Sequence, residues 1–167
     1  KFYAYFTPND QPAKGYVYTT EDPRGKWERH AVIPHFHDAS LFFDEDGKVY
    51  MVYGTGQIRE LKPDLTGVQE GGLDAKLFER DKEENSLLEG SRMLKKDGKY
   101  YLLMISWPRG GIRREVCYRA DQIEGPYEKK VILETTFGGL GDGVAQGTIF
   151  DDPQGNGYGF IFQDRGG

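Results

Sequence analysis

The chain repeats itself, and the repeat limits what it can fold into. With Asp38 set over Glu89, "DASLFFDEDGKVYMVYG" and "EGSRMLKKDGKYYLLMI" run together without a gap, and Asp46-Gly47-Lys48 stands directly above Asp97-Gly98-Lys99. A third copy, "QGTIFDDPQGNGYGFIFQD", opens at Gln146 and keeps its turn glycine, Gly155, in register. A fourth shows only its second half, where "KFYAYF" matches "KVYMVY" and "KYYLLM". Lys1, Lys48, Lys99 and Asn156 mark periods of 47, 51 and 57 residues. Each period has room for about four short strands, and a unit of that size built on a central hairpin is a propeller blade. One four-stranded blade cannot bury both of its faces, so blades stack around an axis.

The local chemistry agrees. The runs "KFYAYF", "YVYTT", "KVYMVYG", "KYYLLMIS", "REVCYRA" and "YGFIFQD" are β-branched and aromatic and are bounded by Gly, Asp, Asn or Pro, while helical periodicity is weak. The expectation is an all-β chain covering about three to three and a half blades. A partial blade is expected over 1–20, blades over roughly 21–70 and 71–125, and an incomplete one over 126–167. A closed propeller has at least four blades, so the chain reads as an internal segment, with the remaining propeller segments of the same protein as its partners.

Composition narrows the function. Against 27 acidic side chains stand 22 basic ones, a formal net charge of −5, which gives no general attraction to nucleic acid or to an anionic membrane. The longest strongly apolar run, Tyr100 to Trp107, falls far short of the roughly 20 residues of a membrane helix. A single cysteine, Cys117, excludes an internal disulfide and, without a Cys/His cluster, a zinc site; it reads as a small core residue. "KFYAYF" lacks the pattern of a secretory leader, and localisation is left open.

In every visible copy the residue opening the innermost strand is polar or acidic: Asp38, Glu89 and Gln146. Innermost strands line one channel, so these side chains are expected to converge at its mouth. Two carboxylates sharing a pocket suggest acid–base work, because the charge on each makes the other harder to ionise.

Here "HDASLFFDEDGKVYMVYG", "LLEGSRMLKKDGKYYLLMIS", "RADQIEGPYE" and "QGTIFDDPQGNGYGFIFQDRGG" resemble glycoside hydrolase family 43. The resemblance covers essentially the whole chain in blade order. It implies a five-bladed β-propeller enzyme that cleaves xylose- and arabinose-containing polysaccharides with inversion. It further implies that Glu89 is the general acid and Asp38 the acid that tunes and orients it. The general base is implied to be an aspartate about nine residues before Lys1, by the repeat register. Many members place a histidine in the channel where this chain reads "GVAQGT". Gln146 is a poor metal ligand beside imidazole or carboxylate, so a structural calcium is doubtful, no cofactor is assigned, and Gln146 reads as orienting water or sugar.

The substrate implied is a carbohydrate, a xylo- or arabino-oligosaccharide. Sugar C–H faces stack on flat apolar walls, and Phe36 and Trp107 are the candidates, each also readable as packing between blades. His37 reads as a pocket residue or a structural hydrogen-bonder. Asp46 and Asp97 read as turn formers, and Arg109, Arg113 and Arg114 as solvated. Two other readings stay open. One is a sugar-binding propeller without chemistry; the other is a protein-interaction propeller in which the acids are incidental.

Overall fold

Val49–Tyr53 reads VYMVY, five residues with no polar alternation, and four of the five are buried. A strand with such a pattern is covered on both faces. In the computed structural model, which describes residues 1–8, 12–138 and 141–164, and all of their side chains except those of 85, 86, 163 and 164, this is what stacking achieves. Val49 and Met51 point into one apolar cluster with Val17, Ile33, Phe36, Leu61 and Leu65. Tyr50 and Val52 point into the other, with Phe42, Ile58, Leu77, Leu88, Met93, Leu102, Met104, Val116 and Tyr118.

The strands follow in chain order as β1 (Phe2–Phe6), β2 (Lys14–Thr20), β3 (Glu28–Pro34), β4 (Ser40–Phe43), β5 (Val49–Tyr53), β6 (Gln57–Leu61), β7 (Asp74–Lys76), β8 (Glu84–Lys96), β9 (Lys99–Pro108), β10 (Arg114–Ala120), β11 (Glu128–Leu133), β12 (Gly143–Asp151) and β13 (Gly157–Asp164). They form four antiparallel sheets of consecutive strands, β1–β3, β4–β7, β8–β11 and β12–β13. The repeat is therefore real in three dimensions. β5, β9 and β13 are the second strands of their sheets, and β1, which matches them in sequence, begins a sheet that lacks the first.

The sheets divide at other places than the periods suggested. Each break falls after an outer strand, past Pro34, Lys76 and Leu133, and not at residues 20, 70 and 125. The outer strands β3, β7 and β11 are short or largely exposed, reading ERHAVIP, DAK and EKKVIL. They carry little of the apolar signal from which a blade is read, yet each pairs with the strand before it. The arginine and two glycines that end the chain, which the resemblance included, lie outside the described residues.

The tip of the β8–β9 hairpin shows the geometry read for its Asp-Gly pair. Between β8 and β9, Lys96 pairs with Lys99 across two residues, Asp97 and Gly98, both at positive φ (51° and 72°). A two-residue turn that matches strand twist requires that conformation at both places.

Candidate active site

A β-bulge aims the central acid. On β8, Glu89 pairs with Ile105 and Arg92 with Leu103, so Gly90 and Ser91 together stand opposite the single residue Met104 of β9. Gly90 takes φ +76°, and a Cβ there would sit 2.4 Å from Cγ of Gln146. Only glycine lets β12 come this close. The Ser91 carbonyl at the bulge accepts hydrogen bonds from Ser40 Oγ (2.7 Å) and from the Arg92 guanidinium (2.8 Å). β12 has a matching irregularity, Val144 pairing with Gln163 and Gly147 with Ile161, which sets Gln146 on its own bulge.

These two bulges and the turn before β4 bring the predicted residues together. Asp38 sits in that turn at φ +52°, and the Gly54 N–H donates to the carbonyl of His37 at 2.9 Å. The Gln146 amide donates to Oδ2 of Asp38 at 2.7 Å, joining residues 108 apart in sequence. His37 Nε2 stands 3.6 Å from Oε2 of Glu89. One polar atom from each of His37, Asp38 and Glu89 lies within 4.8 Å of the others. Glu89 is about one-third exposed and His37 largely exposed, at 31% and 72% of their side-chain surfaces, so the cluster faces solvent at the edge of a buried interior. Three acid–base side chains and an amide thus face one space, enough to hold a hydroxyl-rich ligand and exchange a proton with it.

The aromatic candidates fare differently. Phe36 is buried, its ring 4.9 Å from Tyr53 and edge-on to it, with Tyr5 on another side. The Tyr5 hydroxyl accepts from the Phe36 N–H at 2.8 Å. Phe36 is therefore a packing residue that anchors the turn carrying His37 and Asp38, and the face expected to meet a sugar is covered by the chain. Trp107, near the end of β9, is half-buried. Its indole N–H donates to the Gly111 carbonyl (2.9 Å), and the Arg113 guanidinium stands 4.7 Å from its ring centre.

The reading of the "PRGGIRRE" arginines as solvated fails for Arg114. Its side chain is 11% exposed and pairs with Glu83 (2.6 Å) and Glu84 (3.5 Å). The Glu84 side chain is fully buried; it also binds Lys129 and accepts from the Ser106 hydroxyl at 2.5 Å. A buried carboxylate needs this many donors. Sequence reasoning also missed Ser40, Ser91 and Arg92, which fasten the bulge. The available signal was the glycine after Glu89, which marks a bulge when it interrupts a strand pattern.

Gln146 turns a hydrogen-bond donor toward Asp38, and calcium takes six to eight oxygen ligands. In this arrangement Oδ2 of Asp38 accepts the amide hydrogen bond. A concavity of about 500 Å³ on the outer part of the β8–β11 sheet is lined by residues including Tyr101, Cys117, Arg119 and Ile132, and by none of the clustered residues.

Known proteins resemble the chain throughout its length. The model for glycosyl hydrolases family 43 matches residues 1–165. A putative beta-xylosidase of Xylanibacter ruminicola is 32% identical over 174 residues, spanning 98% of this chain and 31% of that protein. Among solved structures, a bifunctional GH43-CE protein of Bacteroides eggerthii is 42% identical with a TM-score of 0.78, over 90% of this chain and 20% of its own. The GH43 BlXynB protein of Bacillus licheniformis superposes with a TM-score of 0.74 over 88% of this chain and 29% of its own; at 23% identity it speaks to the fold alone. The chain spans about a third or less of the length of these relatives.

Proposed function

Because the chain belongs to glycosyl hydrolases family 43 and forms part of a five-bladed propeller, we propose that the protein containing it is an inverting glycosidase acting on xylose- or arabinose-containing oligosaccharides. The observation that carries this is the meeting of Glu89, Asp38, His37 and Gln146 at the bulged openings of β8 and β12 and the turn before β4. A repeat that served packing alone would have no reason to fill the equivalent position of each blade with a polar group facing the same space.

In this reading the neutral carboxyl of Glu89 protonates the departing glycosidic oxygen. Water attacks the anomeric carbon from the opposite face, activated by a base outside residues 1–167. Inversion requires the two carboxyls to stand roughly 6.5–9.5 Å apart, which leaves room for that water. Asp38, held by the Gln146 amide and within 4.8 Å of Glu89 and His37, is the acid that orients Glu89. Its charge also favours the oxocarbenium-like transition state. His37 contacts the Glu89 carboxylate and is placed to hydrogen-bond a sugar hydroxyl. Trp107 is the remaining candidate for an aromatic wall, at the rim. We assign no metal to the reaction.

The test is hydrolysis of p-nitrophenyl β-xyloside and α-L-arabinofuranoside, and of xylo- and arabino-oligosaccharides, by the full-length protein with and without Glu89→Gln. The expected result is a loss of at least about a hundredfold in kcat on the oligosaccharides, within the usual range for general acid–base catalysis. The loss is smaller with a leaving group that needs no proton. Absence of turnover on every one of these substrates by the unmutated protein overturns the enzyme reading in favour of a sugar-binding propeller.

A further inference from the structure

The two acids of the candidate site stand on different sheets, Asp38 in the turn before β4 and Glu89 on β8. What holds those sheets together is one apolar cluster, to which Phe42, Tyr50 and Val52 contribute from one side and Leu88, Met93 and Met104 from the other. Apolar burial is non-directional, so it keeps the sheets in contact without fixing the spacing of polar groups at their edge. Catalysis is less tolerant, since a misplacement of about 1 Å can cost on the order of a hundredfold in rate.

One directional link crosses the seam beside the acids. Ser40, two residues after Asp38, is half-buried and shares the face of β4 on which Phe42 joins that cluster. Its hydroxyl donates to the carbonyl of Ser91, two residues after Glu89, at 2.7 Å. Ser91 is 0% exposed and belongs to the bulge. A bulge disrupts the ladder locally, and a carbonyl buried at such a point takes donors from elsewhere. The Arg92 guanidinium is the other donor, at 2.8 Å, but it comes from the same strand. A longer link runs back across the seam: the Ser91 hydroxyl points at the Gly54 carbonyl, 3.5 Å away, and the Gly54 N–H donates to the carbonyl of His37. The backbone carrying His37 and Asp38 is thus tied at two points to the bulge carrying Glu89.

We propose that Ser40 is a positioning residue for the reaction: its hydrogen bond to the bulge sets where the Glu89 carboxyl stands relative to Asp38 and His37. This rests on Glu89 being the general acid. Ser40 acts through the bulge and touches no reacting atom. Without its hydroxyl the sheets stay stacked on their apolar cluster, while the Ser91 carbonyl keeps only the donor from its own strand. The loss of placement then shows where proton donation matters, because a leaving group that departs as a stable anion does not need the proton.

The test uses the full-length protein carrying Ser40→Ala. On xylo- and arabino-oligosaccharides kcat is expected to fall about tenfold or more with KM nearly unchanged, and on dinitrophenyl glycosides of the same sugars to change by no more than about twofold. A crystal structure of the variant is expected to show the Glu89 carboxyl moved by about 1 Å from the place where it stands 3.6 Å from His37. An equal loss on both kinds of substrate, or no loss, overturns the inference. So does a Glu89 carboxyl that has not moved, whatever the activity. A merely structural Ser40 would lower the unfolding temperature and leave the ratio between the two kinds of substrate as it was. Where Glu89→Gln does not separate the two kinds of substrate, the general-acid reading fails instead, and a displaced carboxyl in Ser40→Ala still upholds the hold of Ser40 on Glu89. Should Ser40→Ala not fold, Ser40→Cys keeps a side chain of similar size with a weaker donor and is read in the same way.

Discussion

The β8–β11 sheet has two faces that are buried for different purposes. The face toward β4–β7 is made of Leu88, Met93, Leu102, Met104, Val116 and Tyr118, and meets Phe42, Tyr50, Val52, Ile58 and Leu77. Phe78 stacks on Tyr118 with ring centres 3.7 Å apart and planes 4° from parallel. Near its two ends this face adds satisfied ion pairs, Asp44 with Lys95 and Glu84 with Lys129. The face toward β12–β13 presents Glu89, Arg92, Ile105, Glu115 and Cys117 by the same registers. It presents a buried acid whose carboxylate oxygens have no hydrogen-bond partner among the described residues. The first arrangement lowers free energy with every contact; the second gives some of that up to hold charges where water cannot screen them. Buried groups without a partner among the described residues occur on both faces, the Tyr118 hydroxyl on the first and the Glu115 carboxylate on the second.

The contrast can be broken most strongly on the apolar face. Met104→Ala is expected to cost about 2–5 kcal/mol of stability, as core truncations do, and denaturant unfolding would read it as a lower midpoint. Glu89→Gln, on the other face, should leave that midpoint nearly in place while removing most of the activity; a large loss of stability there would mean that the bulge is a packing device.

A middle-sized effect belongs to the ion pair at the hairpin end. Burial alone would raise the Asp44 carboxyl, but hydrogen bonds from Lys95, Tyr100 and the Glu45 N–H outweigh it and hold the group below the usual range. A carboxyl depressed in the folded state stabilises above its ordinary value and loses that contribution as pH falls through the folded value. Asp44→Asn should therefore cost about 1–3 kcal/mol at neutral pH, and less in acid, in unfolding measured from pH 7 down to 2.

Glu115 carries the opposite sign. A carboxyl raised by burial to about 7 makes the folded protein less stable as pH climbs from the ordinary value of 4.5 toward 7, since only the folded state keeps the proton in that interval. Unfolding temperatures measured across this window should fall with pH in the native protein and stay flatter in Glu115→Gln. Equal slopes would place the carboxyl in contact with solvent. The smallest effect is on the surface: Lys96 and Asp151 form a pair at 2.7 Å with both side chains about half exposed. Lys96→Ala should change stability by no more than about 1 kcal/mol, and less in high salt.

The fold and the centre of the site were both legible from the repeat. A strand side chain alternates with period 2, so aligning two hairpins on their Asp-Gly turns also aligns which residues open the inner strands. Asp38, Glu89 and Gln146 were found in this way. The aromatic walls were not, because whether Phe36 meets a sugar or Tyr53 depends on β1 and β5 arriving beside it from distant parts of the chain. The outer strands escaped for a related reason: they pair through their backbones and carry little apolar pattern of their own.

What the sequence alone determined is local and periodic: the strands, the tight turns, the stacking unit and the register that makes equivalent positions converge. Those follow from backbone conformation and from which side chains avoid water, properties of short segments repeated. What only the tertiary structure decided is the company each polar side chain keeps. Arg114 was read as solvated and lies in a buried ion network, while Glu115 stands unpaired two residues into a strand that otherwise reads as core. Charge and desolvation depend on neighbours a hundred residues away as strongly as on adjacent ones, and those neighbours exist only once the sheets have stacked.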